Sequence, residues 1–222
     1  MIGLDRGVDW LAGFETGHVV EHLVDAIGPS PRPVVAFSLG AMPALMLAEA
    51  RPDLVSALTL VAPAGPWEQG RFANDMAGTP LFALAAKSSR RLALVAMGQA
   101  TMLRFAPDLF LKTLFKSAPA AEQTLIADAP THMAIADGYR WMLTNRFRGY
   151  LAALKHYARD WMPAPLPSSL PLRIVAGGAD TWVPPAMVAA LATRLGGGDD
   201  TGPETVPNTG HYGTLLATPL DL

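Results

Sequence analysis

Residues 33–50 read PVVAFSLGAMPALMLAEA, a short apolar run, a sharp turn at Ser38 and a helical pattern. The run 33–37 is rich in Val and bounded by Pro, as a buried strand is. A nucleophile on such a turn is forced into strained backbone geometry, so its neighbours two before and two after must be small. Here they are Ala36 and Gly40. The usual pattern is Gly-x-Ser-x-Gly, and Ala36 departs from it by one methyl group. The turn also brings Ser38 to the start of the helix over 41–50, where backbone N–H groups can stabilise an oxyanion. The N–H of Leu39 is the natural first donor. Taken alone, a Ser between strand and helix is as readily an ordinary helix cap. The small neighbours shift the balance toward chemistry.

Working outward, three further apolar runs predict strands: 57–62 (ALTLVA), 172–176 (LRIVA) and 204–207 (ETVP). The longer ones do not alternate with polar residues, as expected when helices cover both sheet faces. Helical patterns lie between them. Val19, Val20, Leu23, Val24 and Ile27 share one face and stop at Gly28-Pro29; another pattern covers 185–195 and stops at Gly196. Strands alternating with helices predict an α/β fold with a mostly parallel sheet. From Pro66 to Trp161 the rhythm breaks. No strand is legible there, only helical patterns, the clearest carried by Phe147, Tyr150, Leu151, Leu154, Tyr157, Ala158 and Trp161. Residues 66–162 are thus expected to form a helical cap inserted into a core of 1–65 and 163–222. The Pro-rich segment 162–171 returns the chain to the sheet.

Composition narrows the function. The 222 residues carry 17 Lys and Arg against 19 Asp and Glu, a net charge of −2. No block of like charge suggests nucleic acid or an anionic membrane as partner. Without cysteine there is no disulfide, thiolate metal site or cysteine nucleophile, which suits a reducing cytoplasm. The start, MIGLDRGVDW, places Asp5 and Arg6 where a signal peptide needs an apolar run. The most apolar stretch, 81–105, is broken by Lys87, Arg90, Arg91 and Arg104, so no membrane span is expected.

Two more stretches could carry chemistry. In LRIVAGGADTWVPPAMVAAL, Asp180 follows a strand at the edge where α/β proteins build their sites; alone, it reads equally as a turn residue. In ETVPNTGHYGTLLATP, His211 follows a short strand and an Asn-Thr-Gly turn.

Together these stretches resemble the α/β-hydrolase superfamily, whose nucleophile, acid and base follow one another in the order Ser, Asp, His. AEARPDLVSALTLVAPAG is similar to the family's step from the elbow helix into its sixth strand. IGLDRGVDW resembles its fourth strand and following turn. The likeness covers 1–65 and 170–222. It implies that Ser38 attacks an acyl carbon, His211 moves the proton and Asp180 orients the imidazole. A serine hydrolase is therefore expected, acting through an acyl-enzyme on a small or medium apolar ester, thioester or related carbonyl compound. Acyl transfer and C–C cleavage use the same residues. Ser38 argues against the dehalogenase and epoxide hydrolase branches, which place Asp there. The alternative is a catalytically silent binding module on the same fold.

The remaining candidates are weaker. His18 and His22 stand at i, i+4 without a third ligand, so no metal site is expected. Asp199 and Asp200 sit in a Gly-rich loop, and His132 and His156 fall in the cap. No glycine-rich nucleotide motif is present, so no cofactor is expected. Met76, Met97, Met102, Met133 and Met142 predict an adaptable apolar pocket. Finally, the family begins with three strands before the one matching residues 1–5. Its His-Gly-like loop, source of the second oxyanion donor, has no counterpart upstream of Ser38, only Gly3, Gly7, Gly13 and Gly17. The chain is therefore expected to lack an N-terminal part and to be weakly active as it stands.

Overall fold

The computed structural model describes residues 16–66, 72–159, 161–196 and 202–220. Helix α1 (Thr16–Ile27) buries Val19, Val20, Leu23 and Ile27, the face foreseen in the sequence. It ends at Gly28, whose φ of 78° a side chain would resist and whose N–H closes the last turn on Val24 O at 2.9 Å. Strand β1 (Arg32–Phe37) follows. Its register shifts between Arg32 and Pro33, where proline has no N–H for the ladder.

Helix α2 (Ala41–Ala50) then crosses to strand β2 (Val55–Val61). Ala41, Leu45, Leu47 and Ala48 on α2 are all but inaccessible, because α1 packs on α2 from outside the sheet. A helix apolar on nearly every side has to be covered on nearly every side. Strands β3 (Leu172–Gly177) and β4 (Glu204–Val206) are the last two of the sheet among the described residues. All pairings are parallel and the order is β1-β2-β3-β4. Helices cover both faces, giving the expected α/β architecture.

Between β2 and β3 the described residues hold only helices: α3 (Thr79–Lys87), α4 (Ser89–Phe105), α5 (Pro107–Leu114), α6 (Ala120–Ala127), α7 (Ala129–Thr144) and α8 (Phe147–Tyr157). Ser88 caps α4 by accepting the Arg91 N–H, and Asp128 caps α7 by accepting that of Thr131, each meeting a first-turn donor that the helix cannot satisfy. Helix α9 (Pro185–Arg194) links β3 to β4, and α10 (His211–Ala217) ends the described chain.

Among the described residues, two apolar clusters hold the fold together. The larger joins the sheet, α1, α2 and α9 to α3 and α8 through residues such as Phe82, Leu154 and Tyr157. The smaller lies within α4 to α7, around Leu103, Phe110 and Ile135. Tyr150 and Leu151 of α8 pack against both. The α8 aromatics foreseen in the sequence are thus shared between packing and, for Tyr150, the wall of a cavity. Buried Tyr157 donates its hydroxyl to Gly65 O at 2.6 Å. The Pro-rich segment lies along α9, with Leu166 N–H on Leu195 O and Arg194 Nε on Pro163 O. Among the described residues, no helix is long and apolar enough to cross a membrane.

Candidate active site

Ser38 has φ of 56°, the left-handed region that a side chain normally avoids. It begins a single 3₁₀ turn, Ser38–Gly40, between β1 and α2, and its own carbonyl accepts from Ala64 N at 3.1 Å. A Cβ built on Gly40 would stand 4.0 Å from Ala36 Cβ. The two small positions therefore face each other across the turn, as the sequence pattern requires. At that separation a methyl at 36 is in ordinary contact distance, so alanine is accommodated there.

Asp180 leaves β3 through Gly177 and Gly178. At Gly177 a Cβ would overlap Thr214 Oγ1 and lie 2.9 Å from Thr209 O, so β3 can approach the first turn of α10 only as glycine. The loops after β3 and β4 are laced together by Gly178 N–H on Val206 O and Ala179 N–H on Thr209 O, both 2.9 Å. That lacing brings residue 180 to residue 211.

The three predicted side chains meet. His211 Nε2 is 2.8 Å from Ser38 Oγ, and His211 Nδ1 is 2.7 Å from Asp180 Oδ2. A carboxylate only accepts, so Nδ1 carries the proton and Nε2 is left to accept from the serine hydroxyl. The other Asp180 oxygen accepts from Trp182 N at 2.8 Å and Val183 N at 2.9 Å. Asp180 and His211 are buried, 3% and 4% exposed, and Ser38 is half-buried. The imidazole is wedged by rings: Phe37 at 4.6 Å between centroids, Trp182 nearly parallel at 6.1 Å and Tyr212 edge-on at 5.8 Å. A serine hydroxyl, an imidazole with a free acceptor nitrogen and a carboxylate behind it can together abstract and return one proton.

The site opens into a cavity of about 690 Å³, within the range of small-molecule pockets. Ser38, Leu39 and His211 line it, α7 supplies the largest share of the wall, and α3, α5, α8 and α10 supply further parts. Among the described residues, no Asp, Glu, Lys or Arg lines it; Gln99, Thr131 and tyrosines provide the polarity. The methionine expectation is corrected in part. Met76 and Met142 line the cavity, but Met102 packs in the smaller cluster, and Met97 and Met133 are 55% and 60% exposed. Composition does not say which face of its helix a residue occupies.

His132 pairs with Asp108 at 3.0 Å on the surface, and neither it nor His156 lines the cavity. Among the described residues, no group of three or more His, Cys, Asp or Glu could hold a metal ion. The His18 side chain lies outside the described residues, as do Asp199, Asp200 and residues 1–15 with the strand foreseen there. Two neighbours of the site were not foreseen. Trp182 both donates to Asp180 and stacks on His211. Buried Glu122 accepts Tyr212 N at 2.6 Å and Gly213 N at 3.0 Å, from ninety positions away in the chain.

The sequence profile of the alpha/beta hydrolase family matches residues 3–222, and this chain belongs to that family. Several solved structures share the fold. Rv0554 of Mycobacterium tuberculosis is 17% identical with a TM-score of 0.56, over 97% of this chain and 71% of that one. A putative non-heme bromoperoxidase, BpoC, of the same organism is 17% identical with a TM-score of 0.54, over 92% and 70%. A laboratory-evolved variant of potato epoxide hydrolase is 17% identical with a TM-score of 0.55, over 94% and 72%. At such identities the likeness is one of fold. No curated protein matches the chain.

Proposed function

We propose that this protein is a serine hydrolase that cleaves uncharged apolar esters, thioesters or related carbonyl compounds through an acyl-enzyme. What carries the reading is the unbroken hydrogen-bonded relay from Ser38 through His211 to Asp180, starting at a strained turn and facing an apolar cavity. Ser38 Oγ attacks the carbonyl carbon as His211 Nε2 takes its proton. The oxyanion is met by the Leu39 N–H. His211 then gives the proton to the departing alcohol or thiol, leaving Ser38 acylated. Water, deprotonated by the same nitrogen, releases the acid and restores the serine. Asp180 holds the imidazole in the tautomer that the cycle needs.

Residues 66–162 act as the cap and the remainder as the core. The described wall carries no charged side chain, which favours substrates that are neutral around the scissile bond, because an ion would meet no partner there. A cysteine-free chain suits the cytoplasm. The experiment is turnover of nitrophenyl esters of graded acyl length by wild type and Ser38→Ala. The variant should fold normally and lose at least about 10³-fold in rate. Equal rates in the two would overturn the assignment, and no turnover in either would favour a silent scaffold.

A further inference from the structure

We propose that Glu122, on a helix remote from the reacting groups in sequence, is a positioning residue that sets where His211 stands. The proposal rests on the reading of His211 as the base.

The residue is 1% exposed, and a carboxylate so deeply buried must be matched by donors. Its donors are the backbone N–H groups of Tyr212 on Oε1, 2.6 Å, and Gly213 on Oε2, 3.0 Å. These are the two residues that follow His211 in the first turn of α10. No side chain from the α10 segment itself caps that turn, and Gly210 before it has none to offer. One carboxylate from α6 thus satisfies two otherwise unmet donors, and charge-assisted bonds of this kind are the stronger sort.

The flanking glycines fit the same purpose. Gly210 has φ of −87°, which any residue can adopt, so its backbone does not call for glycine. The space around it does. A Cβ at Gly210 would lie 2.6 Å from Glu122 Oε2 and 2.9 Å from Glu122 Cβ, and one at Gly213 would lie 3.1 Å from Oε2. The sequence Gly210-His211-Tyr212-Gly213 is a cradle for this carboxylate, with the base in it. Glu122 does not line the cavity, so it does not touch substrate. Its effect passes through the 2.8 Å contact of His211 Nε2 with Ser38 Oγ. Displacing a reacting group by about 1 Å can slow catalysis by roughly 10².

The test compares wild type, Glu122→Ala, Glu122→Gln, Gly210→Ala and the double variant Glu122→Ala/Gly210→Ala. Read-outs are kcat and KM on one nitrophenyl ester, the rate of fluorophosphonate labelling, and melting temperature to correct for folded fraction. Glu122→Ala should lower kcat and labelling rate by about 10- to 100-fold with KM within about threefold. Glu122→Gln, which keeps one acceptor oxygen, should recover part of the loss. Gly210→Ala should resemble Glu122→Ala, and the double variant should lose less than the product of the two single losses, because both disturb the same carboxylate contact. Where Glu122→Ala does not fold, Glu122→Gln and Gly210→Ala are judged by the same kinetic criteria. Folded variants with wild-type kcat and labelling rate, or losses that multiply in the double variant, would overturn the proposal while the hydrolase reading stands. A wild type that neither labels nor turns over would overturn that reading, and this proposal with it.

Discussion

A single serine in the left-handed region carries strain on the order of 1–3 kcal/mol, and such strain persists only where its surroundings hold it. At Ser38 they are the Ala36–Gly40 pair and the bond from Ala64 to the serine carbonyl. The small pair was legible in the sequence because it is local. Asp180 and His211 were legible because each follows a strand end. Glu122 was not: one Glu among the alanines of AAEQTLIA looks like an exposed helix residue, and its partners are backbone groups far along the chain. The pair Gly210 and Gly213 around His211 was the only local sign of it. The four tyrosines illustrate the same limit, since burial shows only in three dimensions. It pushes the phenols of Tyr139, Tyr150, Tyr157 and Tyr212 above their usual range. A tyrosine that keeps its proton longer folded than unfolded supports the fold fully below the unfolded value, and that support is lost as pH rises through the raised one. Phenolate absorbance near 295 nm should therefore stay low as pH passes about 10 and rise only with alkaline unfolding. A smooth titration near that value in the folded protein would contradict it.

Among the elements, α7 shows how a helix shapes a cavity. Thr131, Ala134, Gly138 and Met142 recur at three- or four-residue spacing and line it. Gly138 is the open point, for a Cβ there would meet nothing within 4 Å. Gly138→Leu should shorten the accepted acyl chain: rates on octanoyl esters falling at least about 10-fold, with acetyl esters within about threefold. The melting temperature should hold or rise, since glycine inside a helix is worse than leucine by several tenths of a kcal/mol to about 1 kcal/mol. Unchanged length preference would place the acyl chain elsewhere. The four described strands and helices α2 and α9 were legible to within about two residues, because buried strands and their crossover helices differ in length and bounding turns. The short helix α10 was not foreseen. In the helical segment the sequence showed the absence of strands and the one clear pattern that became α8. Which helix lines the cavity, which packs on the sheet and which faces outward depends on tertiary placement, as Met97 and Met133 illustrate.

At the scale of the molecule, an α/β layer supplies three strand ends and a helical segment covers the place where they meet. The sharing of Phe82, Leu154 and Tyr157 with the sheet's own core ties α3 and α8 to that layer, while α4 to α7 keep a cluster of their own. Among the described residues the segment 66–162 holds no strand, while the packing runs across its boundaries. The proposed chemistry depends on this architecture making Ser38 nucleophilic. Intact-protein mass spectrometry after fluorophosphonate treatment, followed by peptide mapping, tests it most directly. One adduct per chain is expected, on the peptide containing Ser38, absent from Ser38→Ala and from protein denatured beforehand. An unmodified wild type, or an adduct on another residue that survives Ser38→Ala, would contradict it.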